Sequence, residues 1–239
     1  VECAGEDGDV HSSPTRRSSG LSNMTGTRIV NNLAGLMMFT SLLVTCARRY
    51  TVSCWLYALQ SLVLVSIFFT LSELLDAEQL RMWSISAFFT KVLLVPLIMG
   101  FAFRKMAPAD EGQRLFGPAA LVLMAAGIVL LCWFVVRPVQ LPMVALLKPA
   151  LAVALGHFLI GLLCIISQRN ILRQVFGYCL MENGSHLVLA LLAWRATELV
   201  EIGIATDAIF AVIVMTLLAR KIWRTHGTLD VNNLTALKG

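Results

Sequence analysis

The sequence is short of charge. Asp, Glu, Lys and Arg make up 14% of its 239 residues, against about a quarter in an ordinary soluble domain. Hydrophobic residues reach 58% and the mean hydropathy is +0.78. Such a composition cannot clothe a water-soluble surface. It predicts an all-α, polytopic integral membrane protein with little of its length outside the bilayer. Also missing are the P-loop, the G-x-G-x-x-G turn and the nucleophile elbow that mark nucleotide sites and hydrolases. No two of the six cysteines stand in a C-x-x-C pair. Cys46, Cys54, Cys132, Cys164 and Cys179 lie in or beside apolar segments and read as small buried hydrophobes. The chain therefore offers no zinc or iron–sulfur framework and is expected to hold no cofactor of its own. Its net charge of +5 is gathered at the ends of apolar segments, with no basic face interleaved with aromatics. That pattern sets membrane topology and argues against nucleic acid as a partner.

Val1 to Asn23 differs from everything after it. It is polar, carries Glu2, Glu6, Asp7 and Asp9, and has no apolar run that could serve as a signal peptide. It reads as a disordered tail joined onto the protein, with Met24 as the expected start. Seven apolar segments follow, near 29–46, 52–74, 80–103, 116–136, 144–167, 171–193 and 199–219. The first four form an N-terminal membrane part, 24–147. The last three form a module, 148–239, closed by a short polar tail expected to dock on partners. Links one, three and five and the C-terminal tail carry Arg48, Arg49, Arg104, Lys105, Arg114, Arg169, Arg173, Arg220, Lys221, Arg224 and Lys238. The opposite ends carry only Arg28, Arg81, Arg137, Lys148 and Arg195, together with the acids Asp76, Glu78, Glu198 and Glu201. The excess of basic residues predicts a cytoplasmic C-terminus and an N-terminus outside.

Four apolar segments each place an ionisable group well inside the bilayer: Lys91, His157, Glu182 and Asp207. Glu182 sits midway along a stretch long enough to span the membrane, and His186 follows four residues later on the same helical face. A carboxylate at that depth costs about 2.5–3.5 kcal/mol on insertion scales, which argues against an idle acid facing lipid. Together these residues read as stations for proton movement; singly, each also fits a hydrogen-bonded strut between helices. Pro96, inside the third segment, removes a backbone donor and predicts a kink just past Lys91. Gly156 and Gly161 predict close helix approach. Glu73, Glu198 and Glu201 lie near the outer surface as solvated groups or an exit.

The stretch from Lys148 to Gly239 resembles the small three-helix proton-translocation subunit of respiratory complex I and its relatives in cation antiporters. The resemblance is carried by the basic turn Gln168-Arg169-Asn170, the central acid in LMENGSHL, a mid-membrane acid in the last helix and the polar LDVNNL tail. It implies that Glu182 and the last helix's acid carry protons; in that family both acids are Glu, whereas Asp207 is one methylene shorter. The wider span from Met24 resembles membrane subunits of bacterial nickel–iron hydrogenases of the formate hydrogenlyase type, through VNNLAGLMM, QSLVLVSIF, KVLLVPLIM, LKPALAVALGHF and RNILRQVFGYCLMENGSHLVLALLAW.

That resemblance implies a non-catalytic subunit in the bacterial inner membrane. Its implied partners are antiporter-like and quinone-site-like membrane subunits, a peripheral arm holding nickel–iron and iron–sulfur centres, and the bilayer itself. The expected function is redox-coupled proton translocation through Glu182, Asp207, Lys91, His157 and His186. A scaffold that moves no protons is the alternative, and a free-standing cation/proton antiporter a more distant one.

Overall fold

The computed structural model describes residues 14–106, 115–139, 145–193 and 198–234; the side chains of 14–22, 103, 105, 198–205 and 208 also lie outside the description. Helices α1 (Pro14–Cys46) and α2 (Tyr50–Leu75) come first. The third apolar segment is a composite: α3 (Glu78–Ala87), a π-helical segment (Phe88–Leu94) and α4 (Val95–Met106) run on without a break. Then follow α5 (Pro118–Val136), a 3-10 turn (Ala145–Leu147), α6 (Lys148–Ser167), α7 (Ile171–Leu192), α8 (Glu198–His226) and the short α9 (Val231–Leu234). Among the described residues, six helical spans are long and apolar enough to cross a membrane. The seventh expected segment lies within α8. The protein is an all-α, polytopic membrane protein. Helix α1 begins at Pro14, inside the stretch expected to be a tail, while residues 1–13 are not described.

Local chemistry sets the ends of these helices. Asp76 closes α2 in the left-handed region (φ 48°), a conformation that aspartate tolerates better than most residues. Pro118 and Pro149 stand in the first turns of α5 and α6, where no backbone donor is needed. Asn170 caps α7, its side chain accepting from the Leu172 N–H at 2.9 Å. Buried Arg173 donates to the carbonyls of Ala47 (2.6 Å) and Arg48, beyond the end of α1, with its guanidinium 4.8 Å over the Tyr50 ring. It thereby satisfies carbonyls that the end of a helix leaves open.

Helix α7 is the most buried span and α5 the least. The α6–α7 pair is in backbone contact. A Cβ on Gly161 would collide with the backbone of Met181, and one on Gly184 would come 2.5 Å from the Phe158 nitrogen. Gly156 instead faces Met38 and Val129 across α1 and α5.

Two apolar cores fill the bundle. One gathers Met37, Leu64, Phe68, Trp83, Ala150 and Leu187; the other gathers Tyr57, Val95, Met99, Phe176, Leu180 and Val212. Along α2, α7 and the composite helix, the residues between the two cores are Gln60 and Ser61, Glu182 to His186, and Lys91. A polar layer thus lies across the middle of the bundle.

The ends of the helices sort onto two sides. At one side Arg173 meets the α1–α2 link, the Leu115 N–H donates to Ser167 O (3.0 Å), and Ile171 N–H donates to Leu229 O (3.2 Å). At the other, Asn31 bridges Leu146 O and the Ala150 N–H, and Arg81 pairs with Glu73 at 2.7 Å on the surface. The polar tail was expected to dock on partners. Its described part also contacts its own chain, through an antiparallel bridge between Asn170 and Asp230, with Leu229 buried. Leu229 is a buried apolar side chain of the tail, and the α6–α7 turn supplies open backbone groups beside it.

Candidate functional site

The polar layer is organised around Lys91. Pro96 cannot donate to the carbonyl one turn back, and the structure accommodates this upstream as well as at the proline. The Val95 N–H reaches Thr90 O, five residues back, and Phe88–Leu94 winds as a π-helix with Lys91 at its centre. The distortion expected just past Lys91 therefore includes it. Such π turns hold an extra residue and occur often at functional sites.

The Lys91 side chain is 1% exposed. Its three possible donors find three acceptors: Glu182 Oε1 at 2.8 Å, Asn183 Oδ1 at 2.8 Å and His186 Nδ1 at 2.6 Å. All three acceptors come from one turn of α7. Glu182 and His186 are themselves 3.7 Å apart, the i,i+4 pairing expected from their spacing.

Asn183 passes the network onward. With its oxygen held by Lys91, its amide nitrogen donates to Gln60 Oε1 (3.0 Å) and Ser61 Oγ (3.3 Å). Gln60 Nε2 is then 2.7 Å from His157 Nε2. An ammonium on Lys91 fixes the direction of every later bond: Asn183 donates, Gln60 donates, and the His157 Nε2 accepts. The proton of a neutral His157 then sits on Nδ1, which has no partner among the described residues. Tyr57, fully buried, adds its hydroxyl to Ser61 and Asn183.

Of the residues singled out in the sequence, Lys91, Glu182 and His186 meet directly, and His157 joins them through Gln60 and Asn183. Asp207 does not. It lies exposed on α8, with Tyr178, one turn before Glu182 on α7, within electrostatic reach of both acids. Glu73 is an exposed surface partner of Arg81, and the side chains of Glu198 and Glu201 lie outside the described residues. Reading charged groups alone missed Gln60, Ser61, Tyr57 and Asn183. Their signal was polarity without charge: Gln60 interrupts an apolar run, and Asn183 adjoins Glu182. Among the described residues, no three His, Cys, Asp or Glu side chains converge as a metal site.

Buried this deeply, an ion pair with every donor used is stable only while both partners remain. What the arrangement offers chemically is a carboxyl, an amine and an imidazole in mutual contact, any of which can hold a proton, buried in the middle of the bundle.

Comparison with known proteins places the chain in a family. The profile of the family described as NADH-ubiquinone/plastoquinone oxidoreductase chain 4L matches residues 149–239. Hydrogenase-4 component E of Escherichia coli (strain K12) is 76% identical over 216 residues, which span 90% of this chain and 100% of the relative. The protein of that name from Shigella flexneri matches equally. A Mycobacterium tuberculosis protein described as uncharacterized is 25% identical over 219 residues, 91% of this chain and 100% of its own. No solved structure matches the chain.

Proposed function

Because the chain belongs to the hydrogenase-4 component E family, we propose that it works in the membrane arm of a nickel–iron hydrogenase complex of the formate hydrogenlyase type, where it contributes protonatable groups to redox-coupled proton translocation. The observation that carries the reading is the three-way contact of Lys91 with Glu182, Asn183 and His186. An amine shared among three acceptors can shift between them with small movements. While it neutralises Glu182 the buried carboxylate is tolerated; when it leans toward Asn183 and His186, the pairing of the three groups is redistributed without any of them leaving the layer. In this proposal Lys91, His186 and His157 tune and flank the site, and Asp207 is a second station on the outer face of α8. The division at residue 148 is part of the same proposal, supported by the reach of the chain 4L match. The nickel–iron and iron–sulfur centres belong to the peripheral arm, and antiporter-like and quinone-site-like subunits are the proposed neighbours in the inner membrane.

The test is Glu182→Gln in the assembled complex. The variant should assemble, and its hydrogenase arm should still reduce an artificial acceptor, while proton translocation in sealed vesicles falls to background. Asp207→Asn should give a smaller loss. Vesicles carrying Glu182→Gln that acidify at the wild-type rate would end the proton role. The scaffold reading would then stand, favoured by the wide apolar face that α5 leaves exposed with Leu123, Leu130 and Phe134.

The proposed orientation places the α6–α7 turn and the end of α8 in the cytoplasm. In a cysteine-free background, Thr225→Cys should react with an impermeant maleimide only after the membrane is opened. Glu78→Cys should react from outside in intact cells. The reverse pattern would invert the topology.

A further inference from the structure

Helices α4 and α8 run side by side and leave an apolar groove between them, a cavity of about 380 Å³ lined by Leu97, Ile98, Phe101, Ile213, Leu217 and Arg220, among others. It lies apart from the Lys91 layer. The two walls match in pattern. On α4, Leu97, Phe101 and Arg104 follow one another at helical spacing; on α8, Ile213, Leu217 and Arg220 do the same. In each stripe the two apolar side chains are one turn apart, roughly 6 Å at 1.5 Å per residue, and a guanidinium follows about one turn further on. Phe101 and Leu217 are 65% and 57% exposed. Arg104 and Arg220 are exposed as well, and among the described residues neither has a carboxylate partner. Arg224 continues the basic stripe one turn beyond Arg220.

We propose that this groove is a binding site for an anionic phospholipid, with an acyl chain between α4 and α8 and the phosphate held by Arg104 and Arg220. The chemistry selects the occupant. An apolar trough open to the side of the bundle takes a hydrocarbon chain. Two guanidiniums at its end, with no carboxylate partner among the described residues, take an anion through paired N–H donors. A groove of this volume suits one chain better than a transmembrane helix, whose side chains span about 10–12 Å across. The groove's basic end is the end that carries the α6–α7 turn and most of the chain's Lys and Arg. In the proposed orientation that is the cytoplasmic leaflet, where anionic headgroups are attracted to basic segments. A zwitterionic lipid offers the same chain with a headgroup that carries its own cation, so selectivity between the two isolates the contribution of the arginines.

The experiment uses the full chain in phosphatidylcholine vesicles with a minor share of phosphatidylglycerol, one of the two lipids carrying a photoreactive acyl chain. Cross-links are mapped by mass spectrometry. The peptides holding Phe101 and Leu217 should be labelled by phosphatidylglycerol over phosphatidylcholine by about fivefold for each basic side chain engaged. Arg220→Gln should reduce that preference by a similar factor, and Arg220→Lys should retain most of it. Leu217→Trp, which fills the groove, should remove labelling by both lipids. Equal labelling of the groove by the two lipids, or an unchanged preference in Arg220→Gln, overturns the proposal. So does a protein cross-link from Leu217→Cys to another subunit of the assembled complex in place of lipid, since a partner helix would then fill the trough.

Discussion

Lys91→Met should destabilise the folded chain by about 3–5 kcal/mol, the range for removing one partner of a buried ion pair. The substitution keeps most of the stem's volume but takes the lysine that pairs, among the described residues, with a carboxylate that is 6% exposed. Three acceptors lose a donor together: Glu182 Oε1, Asn183 Oδ1 and His186 Nδ1. With Lys91 gone, the Asn183 oxygen loses the cation that fixes which end of the amide faces Gln60 and Ser61, and the bonds to Gln60 and His157 lose their fixed direction. Thermal unfolding in mild detergent, followed by tryptophan fluorescence, measures the loss. The paired variant Lys91→Met with Glu182→Met should recover much of it, because a buried ion pair is often no more stable than a well-packed apolar replacement. A single variant as stable as wild type, or a double variant that shows only the sum of two losses, would mean that the pair is not coupled as the geometry indicates.

Gly161→Ala should also be damaging, for a reason unrelated to charge. One added methyl meets the backbone of Met181, and backbone on both sides cannot swing away as a flexible side chain would. The α6–α7 contact must open, which pulls α7 and its Glu182–His186 turn away from α2 and Lys91. Overpacking of this sort typically costs about 1–3 kcal/mol, and here the strain falls on the most buried span. Gly184→Ala, opposite the Phe158 backbone, should behave alike. Gly35→Ala is the control. It adds the same methyl to α1 with nothing within 4 Å, so it should stabilise the helix by roughly 0.5–1 kcal/mol. If all three variants unfold at the same temperature, close α6–α7 packing is not what holds the bundle.

The segments from 52 onward were legible because hydropathy over twenty or so residues is a strong signal, and their expected bounds fall within a few residues of the helices, except that α8 runs seven residues past the expected end at 219. The pairing of Glu182 with His186 was legible too, since it depends only on helical spacing. What the sequence did not carry was rotation. Asp207 and Glu182 look alike as acids in apolar runs, yet packing turns one outward and the other onto Lys91. Uncharged polar residues were overlooked because each is individually cheap in a membrane helix. Gln60 and Asn183 matter only through the neighbours they join, and those lie on helices far apart in the chain. The tail's contact with its own chain was not legible either: Leu229 looks like any other apolar residue of the tail until the fold sets it against the α6–α7 turn.

A π turn contains more residues than the α-helix on either side of it, and each surplus residue advances the helix by about 100°. Glu78–Ala87 and Val95–Met106 are therefore out of phase with one another, although a single span carries both. A relative lacking one residue between Phe88 and Leu94 would keep two sound helices and the same hydropathy profile, yet its lysine would stand on a different face relative to one of its flanks. The number of residues in this seven-residue stretch, as much as the presence of Lys91, is what aims a cation at Glu182.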